Sequence, residues 1–254
     1  MTDFNLSKTE FIAYLTCPLK FYLIKSGNYN LPYGPRGERD YSSFSAGSQD
    51  GMKWHAWLEA FHEKYFEDIR DNNPAPTSEK KKDTEIMGMF YEKEKERYKK
   101  QSKYWNPLTT ELYLESEHFR GEIDRIDQLN EQGDCLLVEY KRQRKEFDEQ
   151  ELLFYACLIN QVGGKIPDVS YLIRVKEIEV YYYETGESYR RKLLDKELTN
   201  FELFIKAIRE EIFSPNWIRK ENCDILSSNC DYREICFRVP DGLLKQAESQ
   251  KSEQ

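Results

Sequence analysis

The hydrophobic spacing changes period along the chain. Ser7 to Ile24 follows a helical period, and Ser7 with Glu10 three residues on has capping-box spacing. Asn28 to Gly47, rich in Gly, Pro, Tyr and Ser, reads as a loop. Gly51 to Phe66 is again helical, with Trp54, Trp57, Leu58, Phe61 and Tyr65 on one side. Asn72 to Lys82, holding Pro74, Pro76 and a lysine run, reads as a linker or lid, and Thr84 to Lys100 as a charged helix. From Glu111 the period falls to two. Strands are expected over Leu112 to Phe119, Glu122 to Leu129 and Cys135 to Tyr140, separated by Gly121 and Gly133. A helix over Glu149 to Gln161, paired strands at Val169–Val175 and Ile178–Tyr183, and a helix over Leu193 to Phe213 follow. This order predicts an α/β fold, a mixed sheet with helices on its faces.

Composition narrows the class. At 254 residues the chain fits one domain, expected over residues 1–240, with a polar tail at 241–254. The formal charge of −8 exerts no long-range pull on nucleic acid, so a DNA groove must be a local basic patch. No apolar run is long enough to span a bilayer, and the first residues lack the basic and apolar blocks of a signal peptide, so a cytoplasmic location without membrane partners is expected. In that compartment the six cysteines read as metal ligands or buried hydrophobes rather than disulfides.

The chemistry concentrates between Gly121 and Lys141. Asp124 falls mid-strand, where a carboxylate is disfavoured unless it meets solvent or a ligand. Glu139 and Lys141 close an apolar strand two residues apart and therefore share a face. Two carboxylates can hold Mg²⁺ or Mn²⁺, and a neighbouring lysine can offset charge building on a phosphate. The plainer alternative is a ladder of surface charge pairs on a solvated sheet face. His55 stands on the aromatic-rich helix as a further candidate ligand, or as a histidine packed among Trp54, Trp57 and Tyr14.

These residues resemble a known pattern. Asp124 with Glu139-Tyr140-Lys141 looks like the PD-(D/E)xK nuclease signature, and Gly121-Glu-Ile-Asp-Arg-Ile-Asp127 resembles a segment of RecB-type nuclease domains. Gly51 to His55 resembles the Gly-x-x-x-His element of the same family. The resemblance implies a restriction-endonuclease-like core, with His55, Asp124 and Glu139 as side-chain metal ligands, Tyr140 adding its backbone carbonyl, and Asp124, Glu139 and Lys141 as the catalytic set. It also implies Gln-x-x-x-Tyr on the next helix. Here Tyr155 is present, but Glu151 occupies the glutamine position and Gln150 lies beside it. Either the helix is offset by one residue or Glu151 does the glutamine's work, and Gln150 and Tyr155 are candidate DNA contacts.

Cys223, Cys230 and Cys236 lie in an irregular stretch, and Cys17 lies in the first predicted helix. Four thiolates suit an iron–sulfur cluster or zinc. The pattern resembles AddB-type and CRISPR-associated RecB-like nucleases, which place one cysteine before the core and three after it. The resemblance implies a 4Fe-4S cluster stapling Cys17 to residues 215–237. Ser227 occupies a slot where the family usually has cysteine, so Cys223 would reach in from a longer loop and zinc stays open. Cys135 and Cys157, in predicted strand and helix, read as core residues.

For DNA, Lys141-Arg142-Gln143-Arg144-Lys145 is a cation cluster beside the expected metal site, and Arg142 and Arg144 can meet phosphates. Tyr29, Tyr33, Tyr41 and Phe44 with Arg36 and Arg39 suit stacking on unpaired bases, or form an ordinary surface loop. The expected activity is Mg/Mn-dependent cleavage of single-stranded or frayed DNA from an end, in CRISPR spacer acquisition or in recombination and repair. No Gly-x-x-x-x-Gly-Lys-Ser/Thr loop occurs, so the chain is expected to act alone or with separate partners, CRISPR integration proteins or a helicase. The alternative is a non-catalytic nucleic-acid-binding subunit, or a zinc-stapled structural one.

Overall fold

A computed structural model describes residues 5–18, 21 and 46–212. The elements run β1 (Leu6–Ser7), α1 (Lys8–Thr16), α2 (Ala46–Glu59), α3 (Phe61–Arg70), α4 (Lys81–Gln101), β2 (Thr109–Glu115), β3 (Phe119–Gln128), β4 (Asp134–Lys141), α5 (Asp148–Gln161), β5 (Arg174–Tyr182), β6 (Glu187–Lys192) and α6 (Asp195–Ile212). The six strands form one mixed sheet in the order β1-β3-β4-β5-β6, with β2 paired to β3. β4 and β5 are parallel and joined through α5, whereas β2–β3, β3–β4 and β5–β6 are antiparallel.

Alternation along β4 explains the layering. Cys135 and Leu137 face a core built with α1, α5 and α6, while Leu136, Val138 and Tyr140 face a second core built with α2, α3 and α4. Both faces are covered, which is why β4 reads as a continuous apolar run. The aromatic stripe expected on the second helix packs here: Trp54, Leu58, Phe61 and Tyr65 lie in the second core. Among the described residues no helix is long and apolar enough to cross a membrane.

Several boundaries differ from the expectation. The helix expected over Gly51 to Phe66 is two helices broken at Ala60, where ψ relaxes to −5°. The strand expected to reach Phe119 stops at Glu115. There Ser116 Oγ accepts from the backbone N–H groups of His118 and Phe119 at 3.3 and 3.0 Å, folding a serine turn. The paired strands expected within residues 169–183 are instead β5 alone, whose pairing with β4 shifts register between Cys135 and Leu136. Its true hairpin partner is β6, reached through Gly186 at φ +72°. β6 is an edge strand exposed along most of its length, so no apolar alternation marks it. Ser7 caps α1 as expected: its Oγ accepts from Glu10 N–H at 3.3 Å, and Glu10 Oε2 accepts from Ser7 N–H at 2.8 Å.

Cys135 and Cys157 are buried in the first core as free thiols, and burial pushes the Cys135 thiol up to about 12. Cys17 is buried at the end of α1. Cys223, Cys230 and Cys236 lie outside the described residues, as do the aromatic loop with Arg36 and Arg39 and the polar tail.

Candidate metal centre

Three strands deliver three carboxylates to one place. The β3–β4 register pairs Arg125 with Val138, and one step further brings Asp124 towards Glu139. The β2–β3 register pairs Thr110 with Arg125 and Leu112 with Ile123, which leaves Glu111 across from Asp124 on the other side. Glu111 adopts the left-handed region, φ +47°, a strained conformation for a non-glycine residue. His55 of α2 completes the group. Its Nδ1 is 3.6 Å from Asp124 Oδ1 and 3.9 Å from Glu111 Oε1, and one ligand atom from each of the three residues lies within 4.8 Å of the others.

Each acid is held differently. Asp124 is buried, and its Oδ2 accepts the Tyr140 backbone N–H at 2.7 Å. Burial, then the Glu139 charge, pushes its carboxyl up to about 7. Glu139 is buried too, and burial works in the same direction. Lys8 and Lys141 outweigh it and hold the carboxyl down at about 2. Glu139 Oε1 accepts from Lys8 Nζ at 2.8 Å and from Lys141 Nζ at 2.7 Å. Both lysines also meet Glu151 Oε2, Lys8 at 3.2 Å. His55 is held above its ordinary value: burial opposes the charged form, but Glu111, Asp124 and Glu139 prevail.

The donors suit a hard divalent cation. Glu139 Oε2 and Glu111 Oε1 are buried oxygens without a hydrogen-bond partner, an expensive state unless a cation meets them. Carboxylates with one imidazole favour Mg²⁺ or Mn²⁺ over soft metals. With all acids ionised and His55 neutral, Glu111, Asp124, Glu139 and Glu151 against Lys8 and Lys141 leave a doubly negative inner set, which a divalent cation cancels.

Tyr140 sends its side chain to the opposite face. There its hydroxyl accepts from Arg125 Nη1 at 3.1 Å, while its backbone N–H ties Asp124 in place. On α5, Glu151 and Tyr155 are one turn apart and share the face turned to the site. Gln150 instead lines a groove with Leu153, Phe201 and Phe204 between α5 and α6. Lys8 Nζ stands 5.2 Å above the Tyr155 ring centroid. Arg142 is ion-paired with Glu184 at 3.0 Å beside the centre, and Arg144 is exposed.

Glu111 and Lys8 are the functional candidates that sequence reasoning gave no part, and Glu151 figured there only as the residue in the glutamine position. Glu111 stood at the start of the period-two region with nothing to distinguish it. Its signal is tertiary, the register that sets it opposite Asp124. Lys8 lies 116 residues before Asp124, and only β1 and α1 packing brings it in.

Gly121 supports the same face. A Cβ there would come within 2.7 Å of Tyr155 Cε1. Gly121→Ala is expected to cost about 1–3 kcal/mol as the ring is pushed aside, lowering the melting temperature by roughly 3–10 °C in a thermal denaturation scan.

A buried acidic centre with a lysine beside it, at the rim of a mixed sheet clad on both faces, is the equipment of a metal-dependent phosphodiesterase. Residues 5–237 match the model of the PD-(D/E)XK nuclease superfamily, and the chain belongs to that family. Comparison with curated protein sequences returns no match.

Proposed function

We propose that this chain is a Mg/Mn-dependent deoxyribonuclease acting on single-stranded or frayed DNA. The observation that carries this reading is the convergence of Asp124, Glu111 and His55 within 4.8 Å, with Glu139 and Lys141 alongside. When bound, the divalent ion supplies Lewis-acid activation of the phosphate and of a water. His55, Asp124 and Glu111 would hold it, joined by Glu139 Oε2 and the Tyr140 carbonyl. The Lys141 ammonium offsets negative charge growing on the phosphate and orients the attacking water. Arg142 and Arg144, just beyond β4, neutralise flanking phosphates. Tyr155 is buried beneath Lys8, so its part is to support the site, while Gln150 on the neighbouring groove remains a candidate strand contact.

The finer reading follows the family resemblance: attack from a strand end, in CRISPR spacer acquisition or in recombination and repair, beside integration proteins or a separate helicase. A 4Fe-4S cluster on Cys17, Cys223, Cys230 and Cys236 belongs to the same proposal, with zinc as the rival metal. Anaerobically purified protein that is brown supports the cluster, whereas colourless protein with stoichiometric zinc replaces it. The central test is cleavage of 5′- and 3′-labelled single-stranded DNA with Mn²⁺. Binding without cleavage would reduce the chain to a nucleic-acid-binding subunit.

The Asp124 carboxyl sets a pH dependence. A proton on it must leave before a cation binds. Manganese affinity is therefore expected to weaken at least tenfold per unit as pH falls below about 7, because the His55 imidazole, held above its ordinary value, must lose its proton as well. Calorimetric titration in buffers of different ionisation enthalpy should show more proton release near pH 6 than near pH 8. Affinity that is flat across that range would contradict the assignment.

A further inference from the structure

Two lysines and two carboxylates form a closed ring beside the proposed metal centre. Lys8 Nζ meets Glu139 Oε1 at 2.8 Å and Glu151 Oε2 at 3.2 Å, and Lys141 meets the same two oxygens. The ring is electrically neutral. Every member has most of its side chain out of solvent, Glu139 almost wholly. Lys8 opens α1, where the positive end of the helix dipole disfavours a cation. The pair of acids and the Tyr155 face hold it there. One lysine cannot satisfy both acids and also turn to a phosphate, since an acid left alone in this setting is a buried, uncompensated charge.

We propose that Lys8 is a positioning residue of the active site, which neutralises Glu139 and Glu151 together so that Lys141 is released to face the scissile phosphate. The proposal rests on the nuclease reading and extends it to a residue distant in sequence from every motif. Glu151 is the other half of the device: its extra negative charge is what makes a second lysine necessary. Without Lys8, Lys141 stays held by two carboxylates. The centre also becomes more negative, so cation binding is not weakened while turnover falls.

The test is a cycle of Lys8→Met, Glu151→Gln and the double variant in the full chain. It reads kcat on single-stranded DNA, Mn²⁺ affinity by calorimetry, and melting temperature. Lys8→Met is expected to lower kcat by about 10²-fold with Mn²⁺ bound at least as tightly as by wild type. Adding Glu151→Gln should restore kcat to within about threefold of Glu151→Gln alone. It should also recover most of a melting-temperature loss of roughly 4–8 °C caused by Lys8→Met. If Lys8→Met does not accumulate as folded protein, recovery of folding on adding Glu151→Gln is the expected result, and non-recovery overturns the pairing. Wild-type kcat and stability in Lys8→Met would overturn it, as would a loss that Glu151→Gln does not rescue, or one that merely follows weakened Mn²⁺ binding. A wild-type chain that never cleaves would end the nuclease reading instead, and the melting temperatures would still decide whether Lys8 and Glu151 are coupled.

Discussion

Asp124→Asn is expected to abolish cleavage and, in the metal-free protein above about pH 7, to raise the melting temperature by about 5 °C. The two effects have one cause. Asp124 is buried beside Glu139, so its ionised form is disfavoured and its carboxyl titrates near 7 rather than in the ordinary carboxylate range. In that window the folded chain binds a proton that the unfolded chain has already lost, so stability falls as pH rises, and the full cost is felt above the folded value. Asparagine removes the charge and its carbonyl can still accept the Tyr140 N–H. It also removes a metal ligand, and activity goes with it. Lys141→Ala is the informative contrast. It is expected to lower kcat by about 10²–10³-fold without any stability gain, because it leaves Glu139 and Glu151 with Lys8 alone. Denaturation scans near pH 5 and pH 8, with and without Mn²⁺, check the first claim. If Asp124→Asn melts below wild type at the higher pH in the absence of metal, or cleaves at the wild-type rate, the account of this centre fails.

The second large effect concerns the opposite face of the sheet. Arg125→Met is expected to destabilise the chain by about 3–5 kcal/mol, a fall in melting temperature of about 10 °C or more. Arg125 is 2% exposed and bonds Asp127 with two nitrogens at 2.7 Å, while its Nη1 reaches Glu94 Oε1 and the Tyr140 hydroxyl at 3.1 Å each. Arg97 links the same two acids at 2.8 and 3.0 Å, and also donates to the Trp105 carbonyl. His62 joins at 3.1 Å from Glu94, and burial followed by the Arg125 charge holds it below its ordinary value, in the neutral form. Two arginines thus balance two acids. Methionine fills the space of one arginine and leaves Glu94 and Asp127 a full charge short of compensation. Adding Glu94→Gln should return part of the loss. By contrast, breaking the exposed Lys82–Glu184 pair is expected to change stability by less than about 1 kcal/mol. Equal melting temperatures for wild type and Arg125→Met would show that Arg125 does not supply the charge balance assigned to it. The network also anchors Tyr140, the residue whose backbone N–H holds Asp124, so stability and site geometry meet at β4.

Legibility in the sequence followed the physics of each signal. The β4 run, the Glu139–Lys141 spacing and the Ser7 cap depend on neighbours within a few residues, and they read correctly. Asp124 stood out because a mid-strand carboxylate needs a reason. The Asp-Arg-Ile-Asp segment offered only surface charge as a plain alternative. Its real partners, Glu94 and Arg97, lie some thirty residues earlier on α4. β6 went unseen because an edge strand need not alternate. Helix phase separates the two candidates for the glutamine position: Glu151 faces the centre and Gln150 the outer groove, a difference of one residue and about 100° around the helix.

The sequence by itself determined the α/β class, the two-sided burial of the central strand, and the placement of Glu139 and Lys141 on one face, because strand and helix periods are set by local backbone geometry. Only the tertiary structure decided that Glu111 completes the acidic row, that Lys8 shares two acids with Lys141, and that Arg125 is buried rather than solvated. Those outcomes depend on strand register and on long-range packing. No local pattern encodes either one, since a carboxylate carries the same charge whether its partner is two residues away or a hundred.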